Sequence, residues 1–278
     1  MLKTRIITAV ILLAVLLPVL FFNYAPAFIA VVLAFLGAAV WEASRLFNSP
    51  RPWLNAIALT AAFGYTFFGR ELNASANFWM ALGVMFWVMR FAPALKLGLP
   101  PIDSKGSHML GFLYCISLIS CFAAIVVLFR HSAMYLLSAM AIVWVADIGA
   151  YFSGKAFGKR KLAPSISPGK SWEGAIGGGI AVLVLSVLSI VFSAGAPWLQ
   201  DTFAVQLQAH KGWFVTVLML VLITAASIIG DLFESMLKRR AGMKDSSNLL
   251  PGHGGVLDRI DALVPVLPMA ALITAWMS

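Results

Sequence analysis

The chain is a succession of long apolar runs separated by short polar connections: roughly residues 4–22, 26–46, 53–69, 77–95, 109–129, 132–154, 171–194, 212–238 and 256–277. A helix needs about 20 largely apolar residues to cross a bilayer, and each run comes near that length. The pattern predicts an all-α, polytopic membrane protein of about nine transmembrane helices. The two longest connections on one side, about 155–170 and 239–255, are too short to hold a soluble domain. Residues 1–278 are expected to form one integral membrane domain, with amino-terminal spans over 1–130 and the chemistry carried by the spans and loops of 131–278. The first run, behind Lys3 and Arg5, has the shape of a secretory leader. No small-residue cleavage pattern precedes the second run, so the first is expected to stay as an anchor.

Composition supports lipid as the solvent. Hydrophobic residues make up 61% of the chain and charged residues 11%, against roughly 25% charged in soluble domains. The net charge of +9 suits nucleic acid in a soluble protein, but here the placement of the basic residues gives a different account. With a cytoplasmic amino terminus, nine crossings put 17 of the 20 Lys and Arg residues inside and leave only Arg70, Arg130 and Lys211 outside. Excess Lys and Arg in cytoplasmic loops is the positive-inside rule, and the same charges attract anionic headgroups. The expected location is the inner (plasma) membrane, with the active loops on the cytoplasmic side, the carboxyl terminus outside and no nucleic-acid partner.

Ionisable side chains within spans are costly and mark function by default. Glu42 lies three residues before Arg45, a spacing that permits an internal ion pair. Asp147 has no basic neighbour until Lys155, and either packs structurally or lines a polar cavity. Glu71, Asp103 and Asp201 fall in connections and need no special role, and His108, His131 and His210 are read as partnerless. Cys115 and Cys121, six apart in one run, face different sides of a helix and are expected to pack as ordinary apolar residues.

The strongest cluster lies in the last two runs. Asp231, Glu234, Ser235 and Lys238 share one helical face by their three- and four-residue spacing, and Asp258 and Asp261 do so where the ninth run opens. Two acidic pairs at the inner boundary suit Mg²⁺, which takes one or two carboxylates and completes its shell with water and phosphate oxygens. Gly252, Gly254 and Gly255 allow a sharp turn whose N–H groups face an anion, ahead of a helix start. Lys238, Arg239, Lys244 and Arg259 can neutralise phosphate oxygens and a leaving pyrophosphate; His253 can contact phosphate or shape the turn. The plainer account, surface charges pairing around a glycine turn, does not require four acids in this arrangement.

The other inner loop, Ser153 to Gly174, interleaves Lys and Arg with Gly, Ser and Pro. Gly169-Lys170-Ser171 looks like the end of a Walker loop, but Pro164 stands where that pattern needs Gly, and no strand is expected before it. The loop can bind phosphate through charge and a helix start near Ser171, or it serves topology alone; Glu173 is placed to cap the first turn. No Ser, His and acid constellation suggests a serine hydrolase.

Ser235-x-Leu237-Lys238-Arg239-x4-Lys244-Asp245-x-Ser247-x2-Leu250-Pro251-x-His253-Gly254-Gly255-Val256-x-Asp258-Arg259-Ile260-Asp261 resembles, without departure, the signature of the phosphatidate cytidylyltransferases, also called CDP-diacylglycerol synthases. The stretch from Asp147 to Gly174 and the multi-span layout are similar too, while the amino-terminal third carries only general likeness. The resemblance implies transfer of CMP from CTP to phosphatidate, giving CDP-diacylglycerol and pyrophosphate without a covalent enzyme intermediate. It implies metal binding by Asp231 and Asp258, with Glu234 and Asp261 as direct ligands or orienting neighbours, and a catalytic set of Asp231, Asp258, Asp261 and Lys238. Ser167, Lys170 and Ser171 would hold CTP or lipid phosphate, together with Arg239, Lys244, His253, Gly254, Gly255 and Arg259. A second, monovalent cation such as K⁺ and a homodimer are also implied. The residues alone leave open an ion-coupled transporter, because acids near broken helices also mark ion pathways, and a lipid kinase or phosphatase using the same metal site.

Overall fold

The computed structural model describes residues 2–22, 24–68 and 73–277; Arg70 and Glu71, and the side chains of Lys3 and Arg5, lie outside them. The apolar runs are helical: α1 (Leu2–Phe21), α2 (Ala25–Leu46), α3 (Pro52–Phe68), α4 (Asn73–Phe86) continuing through a π-helical stretch Trp87–Phe91 into α5 (Ala92–Leu97), α6 (Lys105–His131) and α7 (Ala133–Phe157). After these come α8 (Trp172–Phe192), the short α9 (Pro197–Gln200), α10 (Phe203–Arg240), the short α11 (Leu257–Ile260) and α12 (Leu263–Met277). Among the described residues six segments are long and apolar enough to cross a membrane, and Ile6–Phe21 and Leu263–Met277 are shorter apolar helices. The chain is a helical, multi-pass membrane protein.

Two local departures from the sequence expectation have physical causes. Residues Lys161–Ala163 and Ser167–Ser171 form a two-stranded antiparallel hairpin, β1 and β2, where only a loop was expected. The strand β2 contains Gly169-Lys170-Ser171 itself instead of preceding it, so these residues do not wrap a phosphate as a Walker loop does. The eighth apolar run belongs to a helix that starts nine residues earlier and breaks at Gly212, whose φ of 77° is open to glycine alone at no steric cost.

The core is built around α6, whose apolar window is 67% buried, against 17% for α8 at the edge. Trp87 and Phe91 of the π-helical stretch meet Tyr114 of α6 and Phe233 of α10, with ring centroids 4.8 Å apart for Phe91 and Phe233 and 5.5 Å for Tyr114 and Phe233. This aromatic wedge sits one residue before Glu234 and fixes the height and rotation of the acid-bearing end of α10. α7 and α8 approach closely along small residues: a Cβ on Gly178 would come within 2.5 Å of the Ala146 carbonyl, and one on Gly174 within 2.9 Å of Ala150 O. Small-residue seams of this kind let membrane helices pack backbone to backbone.

Polar contacts between connections gather at the two ends of the bundle. At one end Thr8 Oγ1 donates to Pro251 O (2.8 Å), Asn48 Nδ2 to Asp103 Oδ1 (2.8 Å), and Arg240 Nη1 to Pro100 O and Ser107 Oγ (both 3.1 Å). At the other end Asp201 accepts from Ser132 Oγ and pairs with His131 Nε2 (2.9 Å), Tyr135 meets Thr274 (2.9 Å), and Lys211 lies over the Trp276 ring. His131 and Asp201, read as incidental from sequence, therefore tie α6, α7 and the α9 connection together, and His210 Nδ1 lies 2.8 Å from Gln206 O. Cys115 and Cys121 are free and buried.

Candidate active site

The connection between α10 and α11 is shaped by two carboxylates. Glu42, near the end of α2, is fully buried. It accepts from Ser247 Oγ (2.5 Å), Leu257 N (2.6 Å) and Val256 N (3.0 Å), with Ser246 Oγ at 3.2 Å. The expected pair with Arg45 does not form; Arg45 stacks instead over Trp41, 4.6 Å from the ring centre. The reason is competition: two backbone N–H groups that open α11 and two hydroxyls offer Glu42 a full set of donors in a site that excludes water, whereas Arg45 can reach the interface. Asp258 takes the other side of the same loop. Its Oδ2 accepts from Ser246 N, Ser246 Oγ and Gly255 N, all at 2.8 Å, and its Oδ1 from Lys238 Nζ at 2.5 Å. Gly254 has φ +80°, and a Cβ there would lie 2.7 Å from Asp258 Oδ2; a Cβ on Gly255 would collide with Ser246 and Glu42. Both glycines are thus required by the loop's closure around the acids.

Lys238 lies between Glu234 and Asp258, pairing with each. One turn before Glu234 on α10, Asp231 pairs with Lys170 of β2, and Ser235 Oγ is 3.4 Å from Asp231 Oδ1. Asp261, beyond α11, accepts from Ala262 N. Outside the spanning helices, burial pushes the Asp261 carboxyl up, reinforced by the nearby Asp231 charge. Burial also opposes the charge of Asp258, but Lys238, the Gly255 amide and Ser246 outweigh it and hold that carboxyl below its ordinary value.

Asp231 and Lys170 also form a wall of a cavity of about 470 Å³ between α7, α8, α10 and the hairpin, together with Asp147, Lys155, Ser167 and Ser171. The buried Ser171 hydroxyl is occupied as the amino-terminal cap of α8, accepting from Gly174 N at 3.1 Å. Glu173 holds the hairpin's entry: it accepts from Lys159 N and Arg160 N (both 3.1 Å) and from Arg160 Nε (3.3 Å). Arg239, Lys244 and Arg259 are exposed at the rim, and His253 Nδ1 is buried with no hydrogen-bond partner.

The donor set suits a hard divalent cation. Asp231, Glu234, Asp258 and Asp261 are four carboxylates against the two ammonium groups of Lys170, which pairs with Asp231, and Lys238, which pairs with Glu234 and Asp258. Among the described residues no three acid, His or Cys side chains converge on one point.

Sequence reading singled out the acids of α10 and α11 and the basic loop before α8, and missed Glu42 and Ser246 as supports of the loop between α10 and α11. The available signal was a lone acid deep in an apolar run, paired with adjacent serines in a loop short of other polar partners. Comparison with known proteins matches the same regions. The chain is 40% identical over 288 residues, 99% of it and 98% of the relative, to a phosphatidate cytidylyltransferase of Pseudomonas aeruginosa. It is 36% identical over 291 residues, 96% of each, to that of Haemophilus influenzae, and 33% identical over 214 residues, 77% of it and 73% of the relative, to that of Bacillus subtilis. The family model that matches residues 3–277 takes in Glu42 as well as the two loops, and by that match the chain belongs to the cytidylyltransferase family.

Proposed function

We propose that the protein transfers CMP from CTP to phosphatidate at the cytoplasmic face of the inner membrane, giving CDP-diacylglycerol and pyrophosphate. A phosphatidate oxygen forms the new bond to the α-phosphorus of CTP, the bond to the β-phosphate oxygen breaks, and pyrophosphate leaves. The observation that carries this reading is that Asp231 belongs both to the wall of a cavity of nucleotide size and to the acid cluster under the glycine loop. Lys170 and Ser167 are positioned to hold triphosphate oxygens in that cavity, and Lys238 to balance charge between Glu234 and Asp258. Asp231 and Asp258, with Glu234 and Asp261 beside them, would hold Mg²⁺, which would supply Lewis-acid stabilisation of phosphate charge when bound. Asp258 Oδ2 serves three loop donors and its Oδ1 pairs with Lys238, so a metal held there would share this carboxylate with Lys238.

Nine crossings with the amino terminus inside belong to this reading. It is supported by the sorting of charge: Arg130 and Lys211 sit at the end opposite the acid cluster, whereas the hairpin and loop cations lie beside it. A second, monovalent cation and a homodimer, implied by the signature, are part of the same proposal. The test is pyrophosphate release by detergent-purified protein with Mg²⁺, comparing CTP with ATP and phosphatidate with a lipid-free control. Turnover that needs both CTP and phosphatidate is the expected outcome. Equal turnover of ATP would overturn the choice of base, and silence from folded protein with varied lipids would turn attention to ion transport.

A further inference from the structure

We infer that the groove beneath α1 seats the lipid acceptor, a diacyl lipid with a phosphomonoester headgroup, with its chains between α1, α2 and α7 and its phosphate at His253 and Arg259. The inference rests on the proposed reaction and adds the route by which the acceptor reaches the acids. The groove has a volume of about 1080 Å³, just above the roughly 300–1,000 Å³ range of small-molecule sites. Leu12, Leu16, Phe35, Ala141 and Trp144 line its length, and among the described residues Arg259 is the one charged side chain on its surface. The hydroxyls on the lining away from Arg259, Ser138, Ser189 and Thr202, donate to backbone carbonyls within their own segments. The site end therefore holds the groove's positive charge and an imidazole nitrogen without a partner, which complements an anionic headgroup above an apolar body.

α11 separates this groove from the acid cluster. Successive helical residues point about 100° apart, so Asp258 meets Lys238 and Ser246 on one side while Arg259 and Ile260 face the groove on the other. Nucleotide from water and lipid from the bilayer would thus approach the acids from opposite sides of one helical turn.

Wild-type protein in mixed micelles without CTP can be photo-crosslinked to phosphatidate bearing a mid-chain diazirine. Labelled peptides from α1 and α7, displaced by unlabelled phosphatidate more effectively than by phosphatidylcholine, are expected. Labels confined to outward positions such as Val191 and Phe214, or displacement by both lipids alike, would overturn the assignment. In a kinetic arm, Ala141→Trp blocks the groove at mid-length. It should raise KM for long-chain phosphatidate about tenfold, with KM for CTP and turnover of dihexanoyl phosphatidate unchanged. Equal losses with both chain lengths in folded protein would count against the groove. Absence of any CTP-dependent turnover in the wild type would defeat the proposed reaction, while the crosslinking pattern would still report on lipid occupancy.

Discussion

The glycine loop between α10 and α11 and the hairpin before α8 meet at the same acids, but they are held in different ways. The loop is bound by Glu42 from 204 to 215 residues away, through hydrogen bonds buried from water. The hairpin is tied by Glu173 from 13 or 14 residues away, at the surface, where water competes for every donor. A carboxylate with four donors in a dry site resists any motion that would strand one of them, because an unsatisfied buried group costs about 1–3 kcal/mol. Surface ion pairs such as Glu173 with Arg160 contribute little to stability. The loop is accordingly the fixed frame of the site, and the hairpin its adjustable wall.

Five substitutions test that contrast, from the largest expected effect to the smallest. Asp231→Asn and Asp258→Asn should each lower turnover by about 100- to 1,000-fold, the range for removing a central electrostatic group. Only Asp258→Asn should also lower the melting temperature in detergent, since only Asp258 holds Ser246 and Gly255; equal melting of the two variants would break the frame assignment. Glu42→Gln places an amide donor among four donors, and turnover should fall about 10- to 100-fold, as for supports one shell removed from the reacting groups, with a clear loss of melting temperature. Wild-type melting for Glu42→Gln would mean the loop holds itself. Glu173→Gln should leave melting unchanged and raise KM for CTP by about two- to fivefold, which titration of pyrophosphate release against CTP will read. Lys161→Ala, removing one of several hairpin charges, should weaken substrate use about twofold at low salt and less at high salt. A complete loss there would make the hairpin more than a wall.

What the sequence disclosed follows the same division. Apolar runs locate helices because each needs only its own residues to satisfy its backbone in lipid, and the acids of α10 declare themselves by helical spacing. The helix start near Ser171 is likewise local and was legible, but the cap is Ser171 itself, while Glu173, expected to cap the first turn, instead ties Lys159 and Arg160. Glu42 was assigned to Arg45 because spacing is all that a single run offers, while its real partners lie more than 200 residues on. The pairing of His131 with Asp201 was hidden for the same reason, at a separation of 70. The hairpin escaped because Pro, Gly and Lys are poor strand formers, and it is stabilised by the turn and by Glu173 instead of by propensity.

The position of Glu42 also sets an order of events in biosynthesis. α2 enters the bilayer before residues 246–257 have been made, and at roughly 5–20 residues per second the 204 residues between Glu42 and Ser246 take on the order of 10–40 s to synthesise. During that interval a carboxylate waits at the end of a membrane helix without its donors, held at the water boundary by its cost of burial. Only when the final hairpin of helices arrives can it be drawn inward, so the site closes last and no partly made chain carries a working one.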